Sequence, residues 1–291
     1  MMTLKGSDRP RGRPAALESI LVYLAALAYT AFAGRQFSRL GGSEGPMLFT
    51  LGLGLLPLLY ALARGFSLPV AFRLAPPRQR DVAGGLLMSM GLFVFVLFVC
   101  NVLVYAVPSL SDRGAPLRDF MVRGNPLVAI LAVAILPAVC EEFLFRGFIL
   151  TGLASSVGRW PAILVCAFLF GALHLQPVQM PFTAIIGIAL SYAALETGSL
   201  AVPVVMHCAH NLFLLMIVRR SASELVSADA SQAISMRDLA ASGAPALVVF
   251  WVSIVLVTLI LMGSAAFFVY VGIRMMRKGP TPAGEGDGGR D

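Results

Sequence analysis

An all-α, polytopic transmembrane helical bundle of about eight spans is the fold the sequence predicts, and three observations predict it. The apolar residues gather into runs of about 18 or more, the length that crosses about 30 Å of hydrocarbon. The chain is 58% hydrophobic and only 13% charged, with a mean hydropathy of +0.85. No segments of about ten residues alternate in polarity, as the strands of a membrane β-barrel would.

Residues 1–16 carry Lys5, Arg9, Arg11 and Arg13 and read as a disordered basic N-terminus. Leu17–Ala33 is the first apolar segment. Its basic flank, apolar centre and Ala31-Phe32-Ala33 also fit a secretory signal with a small-residue cleavage site. So many further spans follow that a retained helix is the preferred reading. Pro46–Ala63 is the second span, Gly65–Asp81 a Pro- and Arg-rich connection, and Val82–Val107 the third span. A polar loop follows at Ser109–Pro126. Leu127–Leu153 and Trp160–Leu175 are the fourth and fifth spans. Pro177 and Pro181 mark a turn and a helix start, after which Phe182–Leu195 and Leu200–Val218 are the sixth and seventh. Arg219–Gly243 is polar and partly helical, Pro245–Met275 is the eighth span, and the Gly/Pro-rich tail from 279 to 291 is disordered. There is no internal repeat and no second, soluble domain.

Arginines and lysines in the loops set the orientation. With the N-terminus inside, thirteen fall on its side, including Arg64, Arg73, Arg78, Arg80, Arg159 and Arg274. Eight fall on the other, including Arg35, Arg113, Arg123 and Arg219. The bias puts both termini in the cytoplasm. The net charge of +7 lies in loops beside apolar segments, which suits anionic lipid headgroups. No basic stripe with interleaved aromatics occurs, so nucleic acid is not an expected partner. The four cysteines lie inside spans without CxxC spacing and read as small buried hydrophobes. A nucleophilic Cys140 is disfavoured, because two adjacent carboxylates oppose a thiolate.

The fourth span interrupts its apolar run with Cys140-Glu141-Glu142-Phe143-Leu144-Phe145-Arg146. Charge at that depth is costly unless it is paired or faces a wet cavity, so it marks a functional site by default. Residues four apart share a helix face. Glu142 and Arg146 therefore stack and neutralise one another, leaving Glu141, turned by about 100°, to face a cavity. A second cluster is Phe170-Gly171-Ala172-Leu173-His174, at the end of the fifth span. A third is His207-Cys208-Ala209-His210-Asn211 in the seventh, where His207 and Asn211 share a face and His210 is turned away by about 60°. Taken singly, each has a structural reading: a charge cluster between helices, a hydrogen-bonded core histidine, an asparagine that joins helices. Together they are harder to explain by chance, since the chain has three histidines and all sit in or beside these spans. At about 1.5 Å per residue, Glu141 and His174 differ in depth by only about 5 Å, so one intramembrane site is feasible.

In this order and spacing the three clusters resemble the EExxxR, FxxxH and HxxxN motifs of the CAAX-processing and bacteriocin-processing family of intramembrane proteases, which includes the Ras-converting endopeptidase. The resemblance covers roughly residues 125–216. It divides the chain into N-terminal transmembrane helices (17–124), a protease core (125–218), and a loop with the C-terminal transmembrane helix (219–278). It implies a glutamate-dependent peptidase of an integral, multi-pass membrane protein. Glu141 and His174 would activate water, His207 and Asn211 would hold the oxyanion, and Glu142 and Arg146 would support the site. No cofactor or metal is implied. The implied partners are the bilayer and a membrane-associated peptide or protein substrate.

Other chemistries fit less well. His174, His207, His210 and the two glutamates could supply zinc ligands, but HExxH is absent. No GxSxG elbow for a serine nucleophile appears. A transporter could use Glu141, Glu142 and Arg146 as a relay, but it would be expected to show repeated halves with broken helices. A non-catalytic membrane chaperone or immunity factor would not need all six polar residues. The Ala/Gly/Arg-rich composition points to a high-GC bacterium and its cytoplasmic membrane, where a peptide or membrane-protein substrate is more plausible than a prenylated one.

Overall fold

The computed structural model describes residues 12–37, 44–106, 120–177, 179–227 and 244–277. The basic stretch before residue 12, most of the Ser109–Pro126 loop, most of the Arg219–Gly243 connection and the tail expected at 279–291 lie outside them.

The apolar runs fold as helices: α1 (Ala16–Phe37), α2 (Glu44–Ala63), the short α3 (Leu68–Ala71) and α4 (Gln79–Ala106) come first. They are followed by α5 (Pro126–Val157), α6 (Arg159–Leu173), α7 (Gln179–Thr197), α8 (Ala201–Ser227) and α9 (Ala244–Met276). Among the described residues seven helices are long and apolar enough to cross a membrane. α6 occupies the place of the expected fifth span but has only 15 residues. It stops at His174 because Leu175 turns out of helical backbone, at φ +53°. The protein is thus an all-α, multi-pass membrane bundle.

Two apolar clusters hold the bundle together. The first joins α1, α2, α5 and α6 through interlocked aromatic rings. Tyr23 meets Phe145 edge-on at 6.4 Å, and Phe148 is flanked by Tyr60 at 5.6 Å and Phe66 at 6.0 Å. The connection after α2 is more than a surface link. It buries Phe72 completely against Phe143, with centroids 5.2 Å apart. It is also tied to the α7–α8 turn, where Leu200 N donates to the Arg73 carbonyl at 2.9 Å and Ser199 Oγ to the Ala75 carbonyl at 2.6 Å.

The second cluster packs α4 against α6, α7, α8 and α9 through Met88, Ile163, Leu190, Met206 and Met276. Helices in lipid gain little from apolar burial and associate by close packing of small residues. α4 and α9 do so at Gly84 and Gly272: a Cβ on Gly272 would lie 2.4 Å from the Gly84 carbonyl oxygen.

One end of the bundle is polar and ionic. Ala16 N donates to Ser156 Oγ at 3.1 Å, and Arg64 pairs with Glu18 at 3.0 Å. Arg78 pairs with Asp81 at 2.9 Å, and Arg159 with Glu196. The sequence-expected cytoplasmic arginines therefore cluster at the Ser156 end. The cavity described next lies towards the opposite end.

Candidate active site

α5 starts where Asn125 caps it, its Oδ1 accepting from Leu127 N at 2.9 Å, with Pro126 in the first turn. Such a cap meets two needs at once, an acceptor for free N–H groups and a preset φ. The helix is then widened twice, into π-type turns at Ile130–Ile135 and Phe143–Ile149. Pro137 lies just after the first. Lacking an N–H, it cannot bond the carbonyl four residues back, that of Val133. Asn211 Nδ2 on α8 donates to that carbonyl instead, at 3.2 Å. Freed backbone groups in membrane helices are satisfied in this way by neighbouring helices. The second π-type turn begins immediately after Glu142, and such turns are frequent at functional sites.

Glu142 and Arg146 are both fully buried and pair at 2.8 Å. Bringing two charges out of water costs several kcal/mol apiece, about what a well-made pair recovers. Here the guanidinium has more than the carboxylate. Its Nη2 donates to the Gly187 carbonyl on α7 at 3.2 Å, and its Cζ lies 4.3 Å over the ring of Phe170. Gly187 gives that contact its room: a Cβ there would press on Ala167 Cα at 3.1 Å and Arg146 Nη2 at 3.3 Å.

His207 on α8 links the two glutamates. Its Nδ1 lies 2.8 Å from Glu142 Oε1, and its Nε2 is 4.0 Å from Glu141 Oε2. Oε1 of Glu142 also takes the bond from Arg146. An ionised carboxylate only accepts, so the Nδ1 of His207 carries a proton and donates it. Glu141, with 17% of its side chain exposed, is on the other side of the imidazole and faces a cavity.

His174 caps the C-terminus of α6 and its Nδ1 lies 3.0 Å from the Phe170 carbonyl. A carbonyl also only accepts, so Nδ1 is again a protonated nitrogen. Phe170 is the common neighbour of the polar groups. His174 and His207 both stand edge-on to its ring, at 5.2 and 5.8 Å.

A cavity of about 510 Å³ is lined by Glu141, His174, His207, His210 and Asn211. Its remaining walls are largely apolar, from Phe49 and Leu53 on α2, Phe93, Val96 and Leu97 on α4, and Phe182 and Ile186 on α7. Lining by Pro46, Cys100, Phe120 and Gln176 carries it towards the end of the bundle away from Ser156. Concave, mainly apolar sites with a few convergent polar groups are the usual form of binding and catalytic pockets. Among the described residues no three His, Cys, Asp or Glu side chains are grouped so as to hold a metal ion.

Residues 123–213 match the family model for type II CAAX prenyl endopeptidases, described as Rce1-like. All six residues named for catalysis or support, Glu141, Glu142, Arg146, His174, His207 and Asn211, fall inside the match. This segment is similar to the CAAX endopeptidases. The CAAX family implies a membrane endopeptidase acting on a membrane-associated peptide within a lipid environment. No curated protein and no solved structure matches the chain.

Three groups that shape this core went unremarked in the sequence: the Val133 carbonyl, the Gly187 carbonyl and the ring of Phe170 as a shared neighbour. Pro137 inside an apolar span was the available signal for the first, since it removes one N–H from the helical ladder near that carbonyl. The Gly187 contact has no sequence signal, because backbone oxygens are present at every position.

Proposed function

We propose that this protein is a glutamate-type intramembrane endopeptidase of the cytoplasmic membrane of a bacterium. Glu141 and His174 activate a water molecule, and His207 and Asn211 stabilise the oxyanion that forms when the water attacks a peptide carbonyl. The observation that carries this reading is the division between the two adjacent glutamates. Glu142 is committed to Arg146 and His207 in a dry core, whereas Glu141 lies across the imidazole on the cavity wall.

The chemistry follows from the atoms in place. As a neutral imidazole His174 offers the lone pair of Nε2, and Glu141 offers a carboxylate, so the cavity supplies two proton acceptors for an attacking water. Asn211 has two amide protons; one is given to the Val133 carbonyl, which fixes the side chain, and the other is available to an oxyanion. His207 can donate from Nε2 only as an imidazolium, because the Nδ1 proton is held by Glu142. The tetrahedral intermediate collapses by expelling the amine, which takes a proton from the Glu141–His174 side. The substrate is a peptide or membrane-protein segment that reaches the apolar cavity, without requirement for a prenyl group.

Glu141→Gln tests the assignment. Its carboxylate makes no close hydrogen bond among the described residues, so the variant should accumulate in membranes and melt like the wild type. Its proteolysis, read by comparing peptide fragments from cells carrying wild type or variant, should fall by about 10² to 10⁴-fold. Unchanged cleavage by Glu141→Gln refutes the mechanism.

A further inference from the structure

His210 is the third histidine of the chain, and neither the proposed water activation nor the oxyanion site uses it. Three residues beyond His207, it is turned towards α4, where its ring stands edge-on to Phe93 at 5.2 Å. It is 93% buried, being 7% exposed, and it lines the cavity. Among the described residues neither ring nitrogen is engaged in a hydrogen bond, and neither is sealed in the core: the ring opens to the cavity, where a bound group can serve it as buried imidazoles ordinarily are served. Around it the cavity wall is apolar, formed by Phe93, Val96, Leu97 and Leu214. The result is one donor–acceptor pair set into a greasy wall.

We propose that His210 is a substrate-recognition residue that hydrogen-bonds a hydroxyl or carboxamide side chain of the bound peptide, making this cavity selective for a polar residue at one position in an otherwise apolar segment. The proposal rests on the cavity being the protease site. Its physical basis is the asymmetry of such sites. An apolar pocket discriminates weakly between isosteres, whereas a buried group that must be hydrogen-bonded rejects the analogue that cannot serve it. A neutral imidazole can both donate and accept, so serine, threonine, asparagine and glutamine all qualify, while their isosteres alanine, valine and leucine do not.

The test uses the full chain in proteoliposomes and quenched-fluorescent peptides in matched pairs: serine against alanine, threonine against valine, asparagine against leucine. Each pair is stepped through every position of an apolar host peptide. At one position the wild type should cleave the polar member with kcat/KM at least about tenfold higher. His210→Phe should reduce that ratio to near one, and His210→Gln, which can still donate and accept, should retain most of it. A wild type without a preferred polar position, or a ratio that survives in His210→Phe, overturns the proposal. Binding is read separately in the Glu141→Gln background, as protection of His210 from carbethoxylation followed by mass spectrometry. The serine peptide should protect more than the alanine peptide, and equal protection counts against His210. Cleavage by Glu141→Gln at the wild-type rate, by contrast, refutes the hydrolase mechanism and leaves the protection result to decide the role of His210.

Discussion

Glu142 and His207, on helices α5 and α8, meet at 2.8 Å through a carboxylate oxygen that Arg146 holds from the other side at the same distance. One buried oxygen therefore serves a neighbour on its own helix and a ring from another. The local ion pair is thereby coupled to the orientation of an imidazole that faces the cavity. It follows that substitutions at these positions act as a unit.

Glu142→Ala and Arg146→Ala should each destabilise the protein by about 3–5 kcal/mol, since each strands a buried charge. The double variant should be far less destabilised than the sum, because removing the second partner also removes the stranded charge. Thermal unfolding in detergent measures all three. Additive losses would show that the pair contributes independently of its partners.

Asn211 has a positioning bond to Val133 and, on the proposed mechanism, a catalytic one to the oxyanion. Asn211→Ala should lower kcat by about 10² to 10³-fold, the usual effect of losing one oxyanion donor, with KM little changed. Pro137→Ala addresses the positioning bond from the other helix, at a residue that also lines the cavity. It adds a helical N–H next to the Val133 carbonyl, so α5 should gain thermal stability while kcat falls if that N–H competes with Asn211. A Pro137→Ala protein with full activity would show that the Val133 contact does not hold Asn211 in place.

Phe170 touches a guanidinium and two imidazoles with one ring. Phe170→Leu keeps the apolar volume but removes the ring face, a contact that contributes about 2 kcal/mol when desolvated. The variant should therefore melt lower by that amount and lose activity. Phe170→Tyr should keep the cation–π contact and most of the stability. Equal melting of the Leu and Tyr variants would show that the face of the ring is not what matters.

The arginines gathered at the Ser156 end predict that this end lies in the cytoplasm. The cavity then opens to the opposite face, whereas cleavage of a cytosolic prenylated terminus would need it to open inward. Ser156→Cys should react with a membrane-impermeant thiol reagent in inverted vesicles and not in intact spheroplasts. The reverse pattern would place the cavity mouth in the cytosol and favour substrates delivered from there.

Much of this molecule is set by local rules that a sequence displays directly. Apolar runs longer than the bilayer is thick must become helices, because lipid offers the backbone no other hydrogen-bond partner. A glutamate and an arginine four apart on such a helix must stack. So the span order and the Glu142–Arg146 pair are legible from residue spacing alone. The short α6 was less so, since the turn at Leu175 depends on backbone conformation that apolar composition does not reveal. The folded structure alone decided which histidine meets which glutamate, that a glycine carbonyl on α7 receives the buried arginine, and that His210, already turned from His207 by the helix, meets Phe93. These relationships join residues tens of positions apart, and they depend on how far each helix is rotated about its own axis. Helix rotation is fixed by packing against neighbours, as where Phe72 wedges against Phe143 and Gly84 admits Gly272, so no single helix carries it in its own sequence.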